Sequence, residues 1–292
     1  MLTVAYLGPE HTNTHIASQK RFGKRCEYMH APTVDDVFHL VERRKADYGV
    51  VPIENSLEGA VTHTLDRFAD FMDTPVNIQG EIQQPIRHAL IVHKGAKLEQ
   101  LKVVYSHPQA LAQCSAWLSR HLPHVRRQET NSTAEAVECL SRDLVWVSDT
   151  PGMGSLVRDY SPLQRGAIAR AELADLKQLQ AVPIPEEREN RTRFLVLGLD
   201  KPKRGRHSKT AILFSVKDKP GALHDALLAF KRERINMTKI ESRPSKRKAW
   251  EYLFFVDIEG HVSEPRVKRA LQALERSTSR LRVLGSYPVA SR

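Results

Sequence analysis

Asn190-Arg191-Thr192-Arg193-Phe194 sets an amide, a hydroxyl, two fixed cations and an aromatic ring within five residues. An arginine in such a loop can grip a carboxylate in fork geometry, and a hydroxyl beside it can donate to an oxygen that gathers charge. Leu195-Val196-Leu197-Gly198 follows directly and reads as a short buried strand, the kind of rigid support that holds site loops. A second stretch, Asp47 to Gly59, reads D-Y-G-V-V-P-I-E-N-S-L-E-G. It predicts a strand end followed by a helix at Ala60–Leu65, so that Glu54, Asn55, Ser56 and free helix N-terminal amides cradle an anion. The same residues also read as a capping segment, with Asn55 or Ser56 as the N-cap. A third stretch, Tyr105 to Cys114, carries Ser106, His107 and Gln113 at a strand-to-helix turn. His107, beside Pro108, reads as a helix-start residue rather than a base.

The elements that must position these groups follow from hydrophobic pattern. Strands are expected at Thr3–Leu7, Tyr48–Pro52, Ala89–Val92, Val103–Ser106, Leu144–Ser148 and Phe194–Leu197. Helical spacing marks Val34–Arg44 (Val34, Val37, Phe38, Val41), Val61–Phe71, Pro108–His121 and Thr133–Leu140. Such alternation predicts an α/β domain over residues 1–200 with a largely parallel sheet, whose ligands gather at strand carboxyl ends. Residues 201–208 read as a basic linker. Residues 209–292 give strand Thr210–Val216, a helix opened by Pro220-Gly221-Ala222-Leu223, strand Asn236–Ser242, strand Tyr252–Ile258, helix Pro265–Leu274 and strand Leu281–Leu284. That order, βαββαβ, is the ferredoxin-like arrangement.

Charge is unevenly placed along the chain. The net charge is +11 over 292 residues, and residues 201–292 hold 22 Lys+Arg against 9 Asp+Glu. Much of the excess lies in the linker Lys201–Lys209, so a solvated tether accounts for it and no nucleic-acid partner is expected. No apolar run has a membrane span's length, which is roughly 18 residues, and no membrane partner is expected. The chain opens directly into Leu2-Thr3-Val4-Ala5-Tyr6-Leu7 without a charged-then-apolar leader, which predicts a cytoplasmic protein. Cys26, Cys114 and Cys139 form neither metal spacing nor a disulfide framework. His11 and His15, four apart, precede no third ligand, so no metal site is expected.

Taken together, these stretches resemble the prephenate dehydratase family over nearly the whole chain. Asp47–Gly59 matches its D-[FY]-G-V-V-P-[IV]-E-N-S-x-E-G signature, Tyr105–Cys114 is similar to its second signature, and Asn190–Phe194 matches N-x-T-R-F. The C-terminal part resembles the family's ACT regulatory domain through Gly221-Ala222-Leu223 and Glu241-Ser242-Arg243-Pro244. The resemblance implies a dehydratase domain at 1–200 made of two periplasmic-binding-protein-like (type II) lobes, the second roughly 80–180. It implies decarboxylating dehydration of prephenate to phenylpyruvate on the route to phenylalanine, with no cofactor. Thr192 would hydrogen-bond the departing hydroxyl and Arg193 would hold a carboxylate. Thr12, Asn55, Ser56, Ser106, Gln113 and Phe194 would contact substrate, and Glu54 would either orient Asn55 and Arg193 or supply a proton. Gly221–Leu223 would offer unpaired amides to a phenylalanine carboxylate, and Glu241–Pro244 an acceptor for its ammonium, in a homodimer or homotetramer. No fused chorismate mutase is expected. Arogenate dehydratase and a catalytically impaired phenylalanine sensor are the alternatives, and an intact Thr192-Arg193 pair argues against the second.

Two departures from the family pattern stand out. Its opening loop, G-P-x-G-T-F-[ST], reads Gly8-Pro9-Glu10-His11-Thr12-Asn13-Thr14 in this chain. A positive φ at the glycine position would strain His11. Residues 144–165 lengthen the run between Ser132–Ala136 and Gly166–Ala169, which predicts an enlarged surface loop.

Overall fold

A computed structural model describes residues 1–292 except 71–73, 142–159, 186–188, 203, 246–250 and 291–292. The expected strand at 144–148 and the enlarged loop at 144–165, up to residue 159, lie outside the described residues. The chain begins β1 (Thr3–Leu7), α1 (Asn13–Phe22), β2 (Glu27–Ala31), α2 (Val34–Glu42), β3 (Tyr48–Asn55), β4 (Gly59–Ala60), α3 (Thr62–Asp70) and β5 (Asn77–Pro85). It continues β6 (Ala89–Val92), β7 (Val103–Ser106), α4 (Pro108–Gln113), α5 (Ser115–His121), β8 (Arg126–Glu129) and α6 (Thr133–Ser141). Next come β9 (Arg165–Ala169), α7 (Glu172–Leu176), β10 (Gln180–Pro183) and β11 (Arg191–Gly198). The last part runs β12 (Ser208–Ser215), α8 (Ala222–Arg232), β13 (Met237–Pro244), β14 (Tyr252–Glu259), α9 (Pro265–Ser277) and β15 (Arg280–Pro288).

Two compact units result. The first comprises residues 1–9, 13–84 and 191–292, and the second residues 10–12 and 85–190. In the first, a sheet ordered β2-β1-β3-β11-β5 pairs β1 in parallel with β2 and β3, while β11 returns antiparallel to β3. A second sheet of the same unit, β13-β14-β12-β15, is the βαββαβ element expected from sequence. The second unit is built on the five-stranded sheet β10-β6-β9-β7-β8. No described helix is long and apolar enough to cross a membrane.

Strand alternation decides what each face of the first sheet buries. Val50, Phe194 and Val196 pack with Val4, Tyr6 and Ala17 of α1 on one face. Val51, Ile53, Leu195 and Leu197 pack on the other, against Val37, Phe38 and Val41 of α2, Leu65 and Phe68 of α3, and Leu213, Leu253, Phe255 and Tyr287 of the C-terminal sheet. Phe68 and Phe255 meet with ring centroids 5.8 Å apart. The C-terminal sheet therefore shares a core with the first lobe. Gly285 of β15 lies so near Ile78 of β5 that an added Cβ would sit 2.8 Å from the Ile78 Cβ, so this close approach requires glycine.

Two local expectations change. The helix expected at Ala60–Leu65 starts at Thr62, because Gly59, at φ 83°, turns the chain so that β4 pairs back on β3. No helix N-terminus therefore faces Asn55. The helix expected at Pro108–His121 divides at Cys114, whose φ −92° and ψ 5° interrupt it. His107 caps the first half, its Nδ1 accepting from the Gln109 amide at 3.3 Å.

Candidate active site

Adjacent residues of β11 face opposite ways, and the expected site divides along that line. On the α1 face, Asn55 and Thr192 are cross-strand partners, and Asn55 Nδ2 donates to Thr192 Oγ1 at 2.9 Å. Asn55 is itself fixed by its turn. Its Oδ1 accepts from the amides of Leu57 at 2.9 Å and Glu58 at 3.2 Å, an Asx-type turn. Ser56 completes the clasp: its Oγ accepts from the Arg191 amide at 2.9 Å and its own amide donates to the Arg191 carbonyl at 2.8 Å. With its oxygen already accepting a hydrogen bond, the Thr192 hydroxyl has a polarised O–H to donate.

On the opposite face Arg193 pairs with Glu54 across the ladder, with Nε 2.6 Å from Glu54 Oε1. Arg193 Nη1 donates to Asp257 Oδ2 of β14 at 2.7 Å and to Glu81 Oε2 of β5 at 3.1 Å. Two lysines balance the three carboxylates. Lys239 Nζ of β13 lies 2.7 Å from Glu54, and Lys209 Nζ of β12 lies 3.3 Å from Glu81. Nε and Nη1 of the fork expected to hold a substrate carboxylate are thus engaged by the protein's own carboxylates, while Nη2 is buried without a hydrogen-bond partner among the described residues. Arg193, Glu81 and Asp257 are 6%, 0% and 1% exposed at the side chain. Burial opposes the Arg193 charge, but Asp257, Glu54 and Glu81 outweigh it and hold the guanidinium charged. Burial pushes the Glu54 carboxyl up, yet Arg193 and Lys239 prevail and hold it below the ordinary carboxylate range. Glu54 is thus favoured in its ionised form by the two cations it touches. Phe194, expected as a ligand contact, is 1% exposed within the α1-side core.

The second unit holds the remaining expected residues. Ser106 is fully buried and its Oγ donates to the Ile168 carbonyl at 2.6 Å, tying β7 to β9. Gln113 Oε1 accepts from Asn190 Nδ2 and faces His88 Nε2, each at 2.9 Å. His11, in the opening loop before Thr12, takes φ 64°, the left-handed conformation that favours glycine. Arg170 Nη2 donates to its carbonyl at 3.3 Å.

In the C-terminal sheet, a groove of about 560 Å³ is lined by Gly221, Ala222 and Leu223 with Tyr252 and Phe254. Gly221 stands at φ 77° as the N-cap of α8. The expectation of unpaired amides from Gly221 to Leu223 changes at Ala222, whose amide donates to the Lys219 carbonyl at 3.2 Å. Glu241–Pro244 does not line this groove within the chain. Arg243 instead reaches Asp66 of α3 at 2.6 Å.

Sequence reasoning missed Glu81, Asp257, Lys209 and Lys239. One signal was available: Asp257 interrupts the apolar run Leu253–Ile258, and a carboxylate inside a buried strand requires a cation.

These sheets define a type II periplasmic-binding-protein-like dehydratase body followed by an ACT domain. The prephenate dehydratase family model matches residues 4–202 and the ACT domain model residues 210–276. The chain belongs to the prephenate dehydratase family. It is 45% identical over 291 residues to a bifunctional chorismate mutase/prephenate dehydratase of Aquifex aeolicus, covering 99% of this chain and 74% of that protein. It is 33% identical to the prephenate dehydratase of Bacillus subtilis, covering 98% of each. The solved prephenate dehydratase from Arthrobacter aurescens, in complex with L-Phe, superposes with a TM-score of 0.84 at 31% identity, covering 98% of this chain and 90% of that one.

Proposed function

We propose that the chain converts prephenate to phenylpyruvate, CO2 and water. The observation that carries this reading is the Asn55–Thr192 pair. Prephenate loses its ring carboxylate as CO2; the electron pair released enters the ring and expels the para hydroxyl, which leaves as water once protonated. Aromatisation supplies most of the driving force, so the protein's part is orientation and one proton. Thr192, its oxygen held by Asn55, donates its O–H to the departing oxygen and is reprotonated from solvent. Thr12, Ser56 and Gln113 are the further substrate contacts carried over from the family motifs, while Ser106, carried over with them, is buried and acts through the β7–β9 tie.

Phenylalanine is the effector in this reading. The groove at Gly221–Leu223 has room for an amino acid, and Tyr252 and Phe254 supply ring contacts. β13 is an edge strand with Ile240 45% exposed, which suits pairing with a second copy into a homodimer, or into a homotetramer built of two such dimers. The test is an absorbance assay for phenylpyruvate from prephenate, with and without phenylalanine, and with arogenate as competitor. Turnover of prephenate that falls on adding phenylalanine supports the reading. Turnover of arogenate alone would make the chain an arogenate dehydratase, and turnover of neither would leave a sensor without chemistry.

A further inference from the structure

Three residues of β13 alternate toward the first lobe: Lys239, Glu241 and Arg243 are half-buried, while Thr238, Ile240 and Ser242 are exposed. Two of the three reach across to the lobe, Lys239 to Glu54 at 2.7 Å and Arg243 to Asp66 at 2.6 Å. The Lys239 ammonium is also shared, since Glu241 Oε1 lies 3.5 Å from it. One cation thus stands between a carboxylate of the expected effector motif and a carboxylate of the lobe that holds Thr192.

Glu54 connects this cation to the candidate catalytic pair. It is the residue before Asn55 on β3, and its cross-strand partner Arg193 is the residue after Thr192 on β11. The ladder shifts register between Arg193 and Phe194, so the end of the β3–β11 pair is held by this ion pair and not by a regular run of backbone bonds alone. Glu54 and Arg193 thus sit at the strand ends that carry Asn55 and Thr192, next to the Asn55 Nδ2 to Thr192 Oγ1 contact.

We propose that Lys239 is a positioning residue of the dehydratase: by dividing its ammonium between Glu241 and Glu54 it couples the occupancy of the ACT domain to the geometry of the Asn55–Thr192 pair. This rests on the reading of phenylalanine as effector. An effector held in the groove of a second copy, whose ammonium engages Glu241, withdraws that carboxylate from Lys239 and changes the hold of Lys239 on Glu54. The coupling uses charges already in contact and needs no rearrangement of the shared core. Lys209, Glu81 and Asp257 keep Arg193 in place meanwhile, so the change is felt at the strand end.

The test compares full-length wild type, Lys239→Met and Lys239→Arg by calorimetric titration with phenylalanine and by kcat and KM for prephenate at increasing phenylalanine. In wild type, effector binding should lower kcat/KM by on the order of tenfold, within the usual range of allosteric coupling. Lys239→Met should still bind phenylalanine but show less than about a twofold response to it, and its basal kcat/KM should shift as well, because the hold on Glu54 is lost together with the coupling. Lys239→Arg, which keeps the charge, should recover the response. Should Lys239→Met prove too unstable, Asp66→Asn loosens the second β13 contact from the lobe side and should also weaken the response. Phenylalanine that binds and inhibits Lys239→Met as it does wild type would overturn the coupling role alone. Wild type that binds no phenylalanine would overturn the effector reading, and the coupling with it.

Discussion

Replacing Arg193 separates a substrate clamp from a buried connector. Arg193→Met keeps much of the side chain's bulk and removes its charge. Asp257, 1% exposed, then loses the guanidinium 2.7 Å away, and Glu81, 0% exposed, keeps Lys209 at 3.3 Å. Leaving a buried charge without its partner costs about 3–5 kcal/mol. For a unit of this size each kcal/mol moves the transition by about 2–4 °C, so a drop in Tm on the order of 10 °C is expected. Arg193→Lys keeps the charge, but one ammonium cannot span three carboxylates set for a fork, and losing a charge-assisted hydrogen bond costs about 1.5–3 kcal/mol. Calorimetric and urea unfolding, read beside kcat and KM on the folded protein, give the answer. Substitutions that leave Tm within about 2 °C of wild type, below the shift expected for 1 kcal/mol, while raising KM steeply would refute the buried-connector reading and restore the clamp.

Thr192→Ala should lower kcat by about 10² or more, the usual worth of a positioned proton donor, with Tm unchanged; stopped-time phenylpyruvate assays check this. His11→Gly relieves a left-handed residue at φ 64° and should stabilise the protein by about 1 kcal/mol in urea unfolding. Glu54 gives the pH dependence. Its folded carboxyl is held below the ordinary value of 4.5, so its contribution is complete above about pH 4.5 and is lost as pH falls through the lower folded value. The stability gap between wild type and Glu54→Gln should therefore narrow from pH 6 to pH 3, and a gap that stays constant or widens toward acid would contradict the assigned sign.

Much of the framework was legible in the sequence because burial imposed a period. Val34, Val37, Phe38 and Val41 marked α2, and the same four are its buried residues. The apolar run of β14 marked a strand buried in the shared core. β5 was missed because its Gln79, Gly80, Glu81 and Gln83 break the apolar pattern, and Glu81 is polar because it serves Arg193 and Lys209. The Asn55–Thr192 contact spans 137 residues, so spacing alone could not disclose it; the family motifs brought the two together. The carboxylates that Arg193 reaches were not legible for a physical reason: an arginine at a strand entrance requires an acceptor, and sequence does not say whether substrate or protein provides it.

The facing of β11 bears on how this signature is inherited. On the proposed mechanism Thr192 answers to the reaction, whereas Arg193 is tied to the C-terminal sheet through Asp257. A descendant that lost the ACT domain would also lose Asp257 and Lys239, and selection on Arg193 would slacken while selection on Thr192 held. A descendant that lost the reaction but kept its sensor would do the reverse. On the proposed mechanism, an intact arginine in this loop is therefore a record of a neighbour retained, and the threonine beside it the mark of the reaction.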